Sequence, residues 1–237
     1  RQAKHEVGLK WALTARAHAL RPAADPGAEA MALSNEGAIL SRHGDFEQAL
    51  DRYERAVALQ ERATVENEPL LAFTLNGLGV VHTALDEVDE AAACHQRALE
   101  LRRTALGPDH PYVAMSLNNL GVVAERRGRS AEALAYFRQA LAIKEANLGP
   151  THPELASSLS NLGSLLCRAS EHDEARAMFE RSLAIIEGAE GPSSVQLGPV
   201  LANLALVQLE RRQLPEAEAS LLRSLALAEQ AHGPDHP

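Results

Sequence analysis

Residues 106–147, LGPDHPYVAMSLNNLGVVAERRGRSAEALAYFRQALAIKEAN, recur with drift every 42 residues. The next copy, 148–189, reads LGPTHPELASSLSNLGSLLCRASEHDEARAMFERSLAIIEGA. Another covers 190–231, and His232-Gly-Pro-Asp-His-Pro237 opens one more. Towards the start of the chain, Leu75-Asn-Gly-Leu-Gly79 and Leu33-Ser-Asn-Glu-Gly37 fill the slot of Leu117-Asn-Asn-Leu-Gly121. A chain of 237 residues without repeats would make one or two globular domains. A fixed period of this length prescribes instead a stack of like units, each packed on its neighbours along a continuous core.

Within one period the apolar spacing is helical twice. A first helix, roughly 111–127, carries Val113, Leu117, Leu120, Gly121 and Ala124, and a second, roughly 131–146, carries Ala133, Leu134, Phe137, Ala140, Leu141 and Ile143. Both follow the i, i+3, i+4, i+7 pattern. Arg127-Gly128-Arg129 is too short a link for anything but an antiparallel pair, with Gly at the position that tolerates positive φ. In Gly107-Pro108-Asp109-His110-Pro111 the Gly ends one helix, the first Pro blocks its continuation and the second opens the next. Hydrophobic residues are 46% of the chain but aromatics only 3%, so the core is built from Leu, Ala, Val and Ile. Alanine and leucine are strong helix formers, and local preference agrees with the period.

Small residues recur where helices must approach closely. Gly37, Gly79, Gly121, Gly163 and Ala205 form one column, and Ala49, Ala91, Ala133, Ala175 and Ala217 a second. Ala56, Ala98, Ala140, Ser182 and Ser224 form a third, with Tyr53, His95, Phe137, Phe179 and Leu221 in the bulky slot between the last two. This arrangement resembles the tetratricopeptide repeat. The 42-residue period, the LNNLG segment and the LGPxHP linker are similar to the longer repeat of the kinesin light chains and their bacterial relatives. The resemblance implies an all-α fold, a right-handed α-solenoid of antiparallel helix pairs, running as a single array over 1–237. Its repeats fall at 23–64, 65–105, 106–147, 148–189 and 190–231, and 232–237 starts a further one. Residues 1–22 supply the second helix of a partial repeat (6–20, with Trp11), and 21–26 a loop. The chain opens RQAKHEVGLK, without Met, and reads as a piece of something longer whose repeats continue beyond at least one end.

Several function classes are disfavoured. A net charge of −9 argues against a general nucleic-acid binder, and Lys occurs only at positions 4, 10 and 144. No apolar run reaches the roughly 18–20 residues that cross a bilayer, and no secretory leader is expected, so the expected setting is cytoplasmic, without membrane contact. Cys94 and Cys167 lie in different repeats and read as small buried apolar residues in a reducing cytosol. The chain carries no GxxxxGK[ST], HExxH, CxxC or GxSxG motif, so neither catalysis, metal nor cofactor is expected. His110, His152 and His236 recur once per period in the linker, each tying down its own turn. His82 and His95 lack a carboxylate at ligand spacing.

The candidate site is one face of the first helices. At about 100° per residue, Met115, Asn119, Val122 and Arg126 share a side opposite Leu117, Gly121 and Ala124. The resemblance implies that this side lines a concave groove where peptides lie. One column there reads Asn35, Gly77, Asn119, Asn161, Asn203. Asparagine carries a donor and an acceptor on one short arm, so it serves either a bound backbone, as in related arrays, or hydrogen bonds between adjacent repeats. The next reads Arg42, Ala84, Arg126, Arg168, Glu210. Guanidinium forks grip carboxylates, which predicts an acidic partner; the alternative is a solvated charge paired with Glu125 or Glu171. Met31, Phe73, Met115, Val80, Val122 and Leu206 make pockets for apolar anchors or pack on the adjacent repeat. Gly77 and Ala84 leave the second repeat most apolar, a seat for a bulky side chain around Phe73 and Val80. The expected function is a non-enzymatic scaffold holding an extended, acidic peptide or partner segment. The other reading is a ligand-sensing or autoinhibitory region of a larger bacterial signalling NTPase or regulator. There the partners include other domains of the same chain, and the Arg-rich, Lys-poor composition of a high-GC genome leans that way.

Overall fold

The computed structural model describes residues 26–62 and 68–233. The helix expected at 6–20 with Trp11, nearly all of the loop at 21–26, and His236 lie outside the described residues.

All regular structure among the described residues is helical. The chain forms two compact units, Arg1–Arg129 and Ser130–Pro237. The first contains α1 (Pro26–His43), α2 (Phe46–Arg62), α3 (Glu68–Ala84), α4 (Val88–Leu106) and α5 (Pro111–Arg126). The second contains α6 (Ser130–Leu148), α7 (Leu155–Arg168), α8 (His172–Glu190), α9 (Leu197–Glu210) and α10 (Leu214–His232). We call the odd-numbered helices A and the even-numbered ones B. In the first unit α1 packs on α2 and α3 on α4, each B helix packs on the next A helix, and A helices touch side by side. In the second unit α7 pairs with α8 and α9 with α10 in the same manner, and α6 packs on α7.

The turns from A to B helices share one geometry. Gly44, Asp86, Gly128, Ser170 and Arg212, one period apart, all have positive φ, between 57° and 86°. The amide that follows each reaches back to a carbonyl of the A helix, as in Glu87 N to His82 O at 2.9 Å and Arg129 N to Ala124 O at 2.9 Å. This closes the orphaned end of the helix in a Schellman turn. The sequence announces it with glycine at only two of the five places. At the other end of the A helix, His110 Nδ1 accepts from Tyr112 N at 3.1 Å and His152 Nδ1 from Glu154 N at 3.3 Å. Ser194, one period on, does the same for Gln196 N at 3.2 Å. His110 is the N-cap of its helix, and His152 and Ser194 make the same bond within the turn just ahead of theirs.

The small and bulky columns meet within each pair. A Cβ placed on Gly79 would lie 2.7 Å from His95 Cε1, and one on Gly163 only 2.8 Å from Phe179 Cε1. The B helix thus lays its ring on the bare backbone of the A helix. In the first unit Tyr53, Ala49, Leu40, Leu78 and Val81 form such a core over three helices. One position breaks the pattern: Glu36, in the column otherwise filled by Leu78, Leu120, Leu162 and Leu204, is buried and pairs with Arg52 Nε at 3.1 Å. A buried carboxylate needs such a partner.

The B helices are tied to one another by a regular series of ion pairs. Arg97 meets Glu61 at 2.5 Å, Arg181 meets Glu145 at 2.6 Å, and Arg223 meets Glu187 at 2.5 Å. Arg127–Asp89 and Arg211–Asp173 repeat a second contact, from an A-to-B turn to the preceding B helix. These pairs engage the charges of the B helices and leave the A face as the chemically varied side.

Candidate interaction face

On the A helices of the first unit, Met31, Phe73 and Met115 occupy equivalent positions on α1, α3 and α5, and are 49%, 46% and 36% exposed. They form an apolar row across three adjacent helices. The same column in the second unit holds Ser157 and Pro199, so the row belongs to the first unit alone. Val80 is exposed beside Phe73, Val122 is half-buried, and Leu206 is exposed on α9.

The asparagine column divides. Asn35 and Asn161 are exposed. Asn119 is half-buried and donates through Nδ2 to Asn76 Oδ1 on the neighbouring A helix at 3.0 Å, and Asn203 donates to Ser164 Oγ at 3.4 Å. At Gly77 a Cβ would fall 2.5 Å from Tyr53 Cζ and 2.6 Å from its hydroxyl. Glycine is there because the Tyr53 phenol fills the space an asparagine side chain needs, so Gly77 is no open notch. Burial lifts the Tyr53 pKa to about 12, with the nearby Arg42 charge opposing, so the phenol stays neutral.

In the arginine column, Arg42 and Arg168 are exposed. Arg126 Nη1 meets Asp86 Oδ1 at 3.0 Å. That partner is the left-handed residue of the preceding turn. Both members are solvent-facing, so the pair is weakly held, at about 0–1 kcal/mol.

A second polar series was not anticipated from the residues. Gln60 Nε2 donates to Thr74 Oγ1 at 3.0 Å, Arg102 Nη1 to Ser116 Oγ at 2.7 Å, and Lys144 Nζ to Ser158 Oγ at 2.8 Å. Each tie runs from a B helix to the next A helix, and the column then turns apolar with Ile186 and Val200. The signal was present in the sequence as donors at 60, 102 and 144 and hydroxyls at 74, 116 and 158. Arg102 is the extreme member. It is 4% exposed, also donates to Tyr112 O at 3.0 Å and Asn76 Oδ1 at 3.3 Å, and lies 5.4 Å from the Tyr112 ring centre. Burial lowers its pKa. Through Asn76 it joins Asn119, so the face asparagine and the buried guanidinium form one network.

The remaining reactive groups are quiet. Burial raises the Cys94 thiol to about 11 and lifts Cys167 as well, which disfavours the thiolate. His95 is pressed down to about 4, chiefly by burial and next by Arg102, and is a neutral core imidazole. No three His, Cys, Asp or Glu side chains converge to hold a metal among the described residues. No described helix is long and apolar enough to cross a membrane.

A tetratricopeptide repeat family model matches residues 70–146 and 126–188, and a second tetratricopeptide repeat model matches 30–67 and 200–237. The chain belongs to the tetratricopeptide repeat family. Its fold class is that family's all-α solenoid of antiparallel helix pairs. Among solved structures the array is similar to BtubC (BKLC) from P. vanneervenii, at 25% identity over 99% of this chain and 92% of that one, with a TM-score of 0.80. It is similar also to a putative kinesin light chain of Podosopora anserina with nearly identical TPR-like repeats, at 20% identity over 88% and 98%, TM-score 0.76. YrrB, a TPR protein with an unusual peptide-binding site, aligns at 20% identity over 87% and 88%, TM-score 0.59. No curated protein matches the sequence. The array is of the kinesin-light-chain-like type, a fold that typically serves as a non-catalytic scaffold for protein interactions.

Proposed function

We propose that this array captures an extended protein segment on the exposed side of its A helices, with apolar anchors on the Met31–Phe73–Met115 row and carboxylates drawn to the arginines. The row carries the reading. Three large apolar side chains stand in water at equivalent positions on adjacent helices, where burial under a partner would recover about 25 cal/mol per Å². Phe73, at the centre of the row, is the strongest anchor because aromatic residues dominate such surfaces.

The polar groups divide the remaining work. Asn35 and Asn161 offer both a donor and an acceptor to a partner backbone. Asn119 and Asn203 are engaged with the adjacent A helix and hold the face in register. Arg126 exchanges Asp86 for a partner carboxylate at small cost, since that pair is solvent-facing. Arg42 and Arg168 extend the basic series, and Val122 lines the same side. The binding surface is set by helices already packed, so little ordering cost falls on the array itself. The two free thiols, both half-buried, suit a reducing, cytoplasmic setting.

Peptide display against the whole chain, followed by fluorescence anisotropy with the enriched sequences, checks this reading. We expect enrichment of apolar–acidic segments, a loss of about 2 kcal/mol in affinity for Phe73→Ala, and a smaller, salt-sensitive loss for Arg126→Glu. Affinity indifferent to both substitutions would refute the assignment of this face.

A further inference from the structure

The first unit buries a charge without a counter-charge. Arg102 on α4 is 4% exposed, and its guanidinium donates to neutral acceptors: Ser116 Oγ at 2.7 Å, Tyr112 O at 3.0 Å and Asn76 Oδ1 at 3.3 Å. Among the described residues no carboxylate pairs with it. A guanidinium has donors only, so Asn76 on α3 must turn its carbonyl oxygen towards it. Asn119 on α5 donates to that same oxygen at 3.0 Å, which commits the Asn119 nitrogen and leaves its carbonyl over. A lone asparagine can present either end of its amide, whereas these two are set in opposite senses. Asn76 Nδ2 and Asn119 Oδ1 have no protein partner among the described residues, and neither is buried, so both meet solvent. The face thus shows a fixed donor on α3 beside a fixed acceptor on α5, one helical turn from Phe73 and Met115.

We propose that Asn76 and Asn119 are a main-chain binding dyad for the captured segment, and that Arg102 is the positioning residue that sets the dyad's polarity. An extended chain presents N–H and C=O groups along one edge. One such carbonyl accepts from Asn76 Nδ2 and one such N–H donates to Asn119 Oδ1, so the carbonyl faces α3 and the N–H faces α5. A carboxylate offers acceptors alone and would set one against the Asn119 oxygen. The dyad therefore takes peptide groups and leaves carboxylates to the arginines. This inference rests on the capture face proposed above and assigns it the atoms that hold a backbone beside the apolar row.

Nuclear magnetic resonance of the side-chain amides in the free chain reads the lock without any peptide. One Asn119 amide proton exchanges with water more slowly than either of Asn76, and Arg102→Met removes that difference. The binding arm uses end-capped peptides enriched by display against the whole chain. Replacing their N–H groups one at a time by ester oxygens weakens binding about tenfold at one position, a test that needs no protein variant. Asn76→Asp gives Arg102 a carboxylate and still accepts from Asn119, so the thermal midpoint holds or rises. It also turns an acceptor outward, and the same peptides bind about tenfold more weakly. A purely structural network would raise stability in that variant and leave affinity unchanged. Equal exchange at the two asparagines, or exchange unmoved by Arg102→Met, overturns the lock. Affinity indifferent to every ester and to Asn76→Asp, while Phe73→Ala weakens it, overturns the dyad and leaves the capture face standing. A neutral Phe73→Ala beside a weakened Asn76→Asp removes the apolar row and keeps the dyad. Display that enriches no peptide overturns both.

Discussion

His95 shows how a single side chain can tie this fold to pH. Its column elsewhere holds Tyr53, Phe137 and Phe179, and its imidazole lies against Gly79 in the place of a ring that never charges. Burial, then the Arg102 charge, bring its pKa from 6.5 to about 4, with His82 adding a smaller push and the Gly79 backbone a small opposing pull. The unfolded chain takes up a proton below about pH 6.5 and the folded chain only near 4, so stability falls as pH drops through that window and is level above it. The contribution at stake is about 3 kcal/mol. Urea unfolding at pH 5 and pH 7.5 reads it: the native chain loses stability at pH 5, and His95→Phe removes most of that difference. An unchanged pH dependence in the variant would mean the acid sensitivity lies elsewhere.

At the scale of elements, the A-to-B turns carry strain that glycine would relieve. Ser170 and Arg212 sit at φ 61° and 57°, where an L side chain costs roughly 1 kcal/mol or more. Arg212→Gly is expected to leave thermal stability unchanged or raise it by up to about 1 kcal/mol, since the strain removed outweighs the added chain entropy. Gly128→Ala, at φ 72°, is expected to cost about 1 kcal/mol. The calorimetric midpoint of Gly128→Ala should fall, and that of Arg212→Gly should not. The turns were legible in the sequence where glycine marks them, at Gly44 and Gly128. They were illegible at Asp86, Ser170 and Arg212, because there the hydrogen bonds of the Schellman turn, and not the residue's own preference, force the conformation. The helices themselves were read to within a few residues: α5 was expected at 111–127 and runs Pro111–Arg126, and α6 was expected at 131–146 and runs Ser130–Leu148. Their apolar period is a property of one helix and needs no neighbour to be seen.

At the scale of the whole molecule, two periodic devices compete for the credit of stability, and their magnitudes separate them. The ion pairs between B helices are exposed or half-buried and open to solvent, and contribute about 0–1 kcal/mol each. The ring-on-glycine contacts are buried, and overfilling one costs about 1–3 kcal/mol. Arg181→Ala is therefore expected to change the urea midpoint little, and Gly163→Ala, whose new Cβ would press on Phe179, to lower it clearly. Comparable losses in both variants would contradict this ranking. The sequence by itself determined the period, the all-helical class, that His110 and His152 tie down their own turns, and which residues share a face, because all of these are set within about one helix and its turns. Tertiary structure alone decided that Asn119 and Asn203 turn to the adjacent A helix, that Arg126 meets Asp86, that Arg102 is buried, and that Tyr53 fills the space at Gly77. Each of those contacts joins residues on different helices. A column in the sequence says which way a side chain faces, but the packing of the helices says what stands there to meet it.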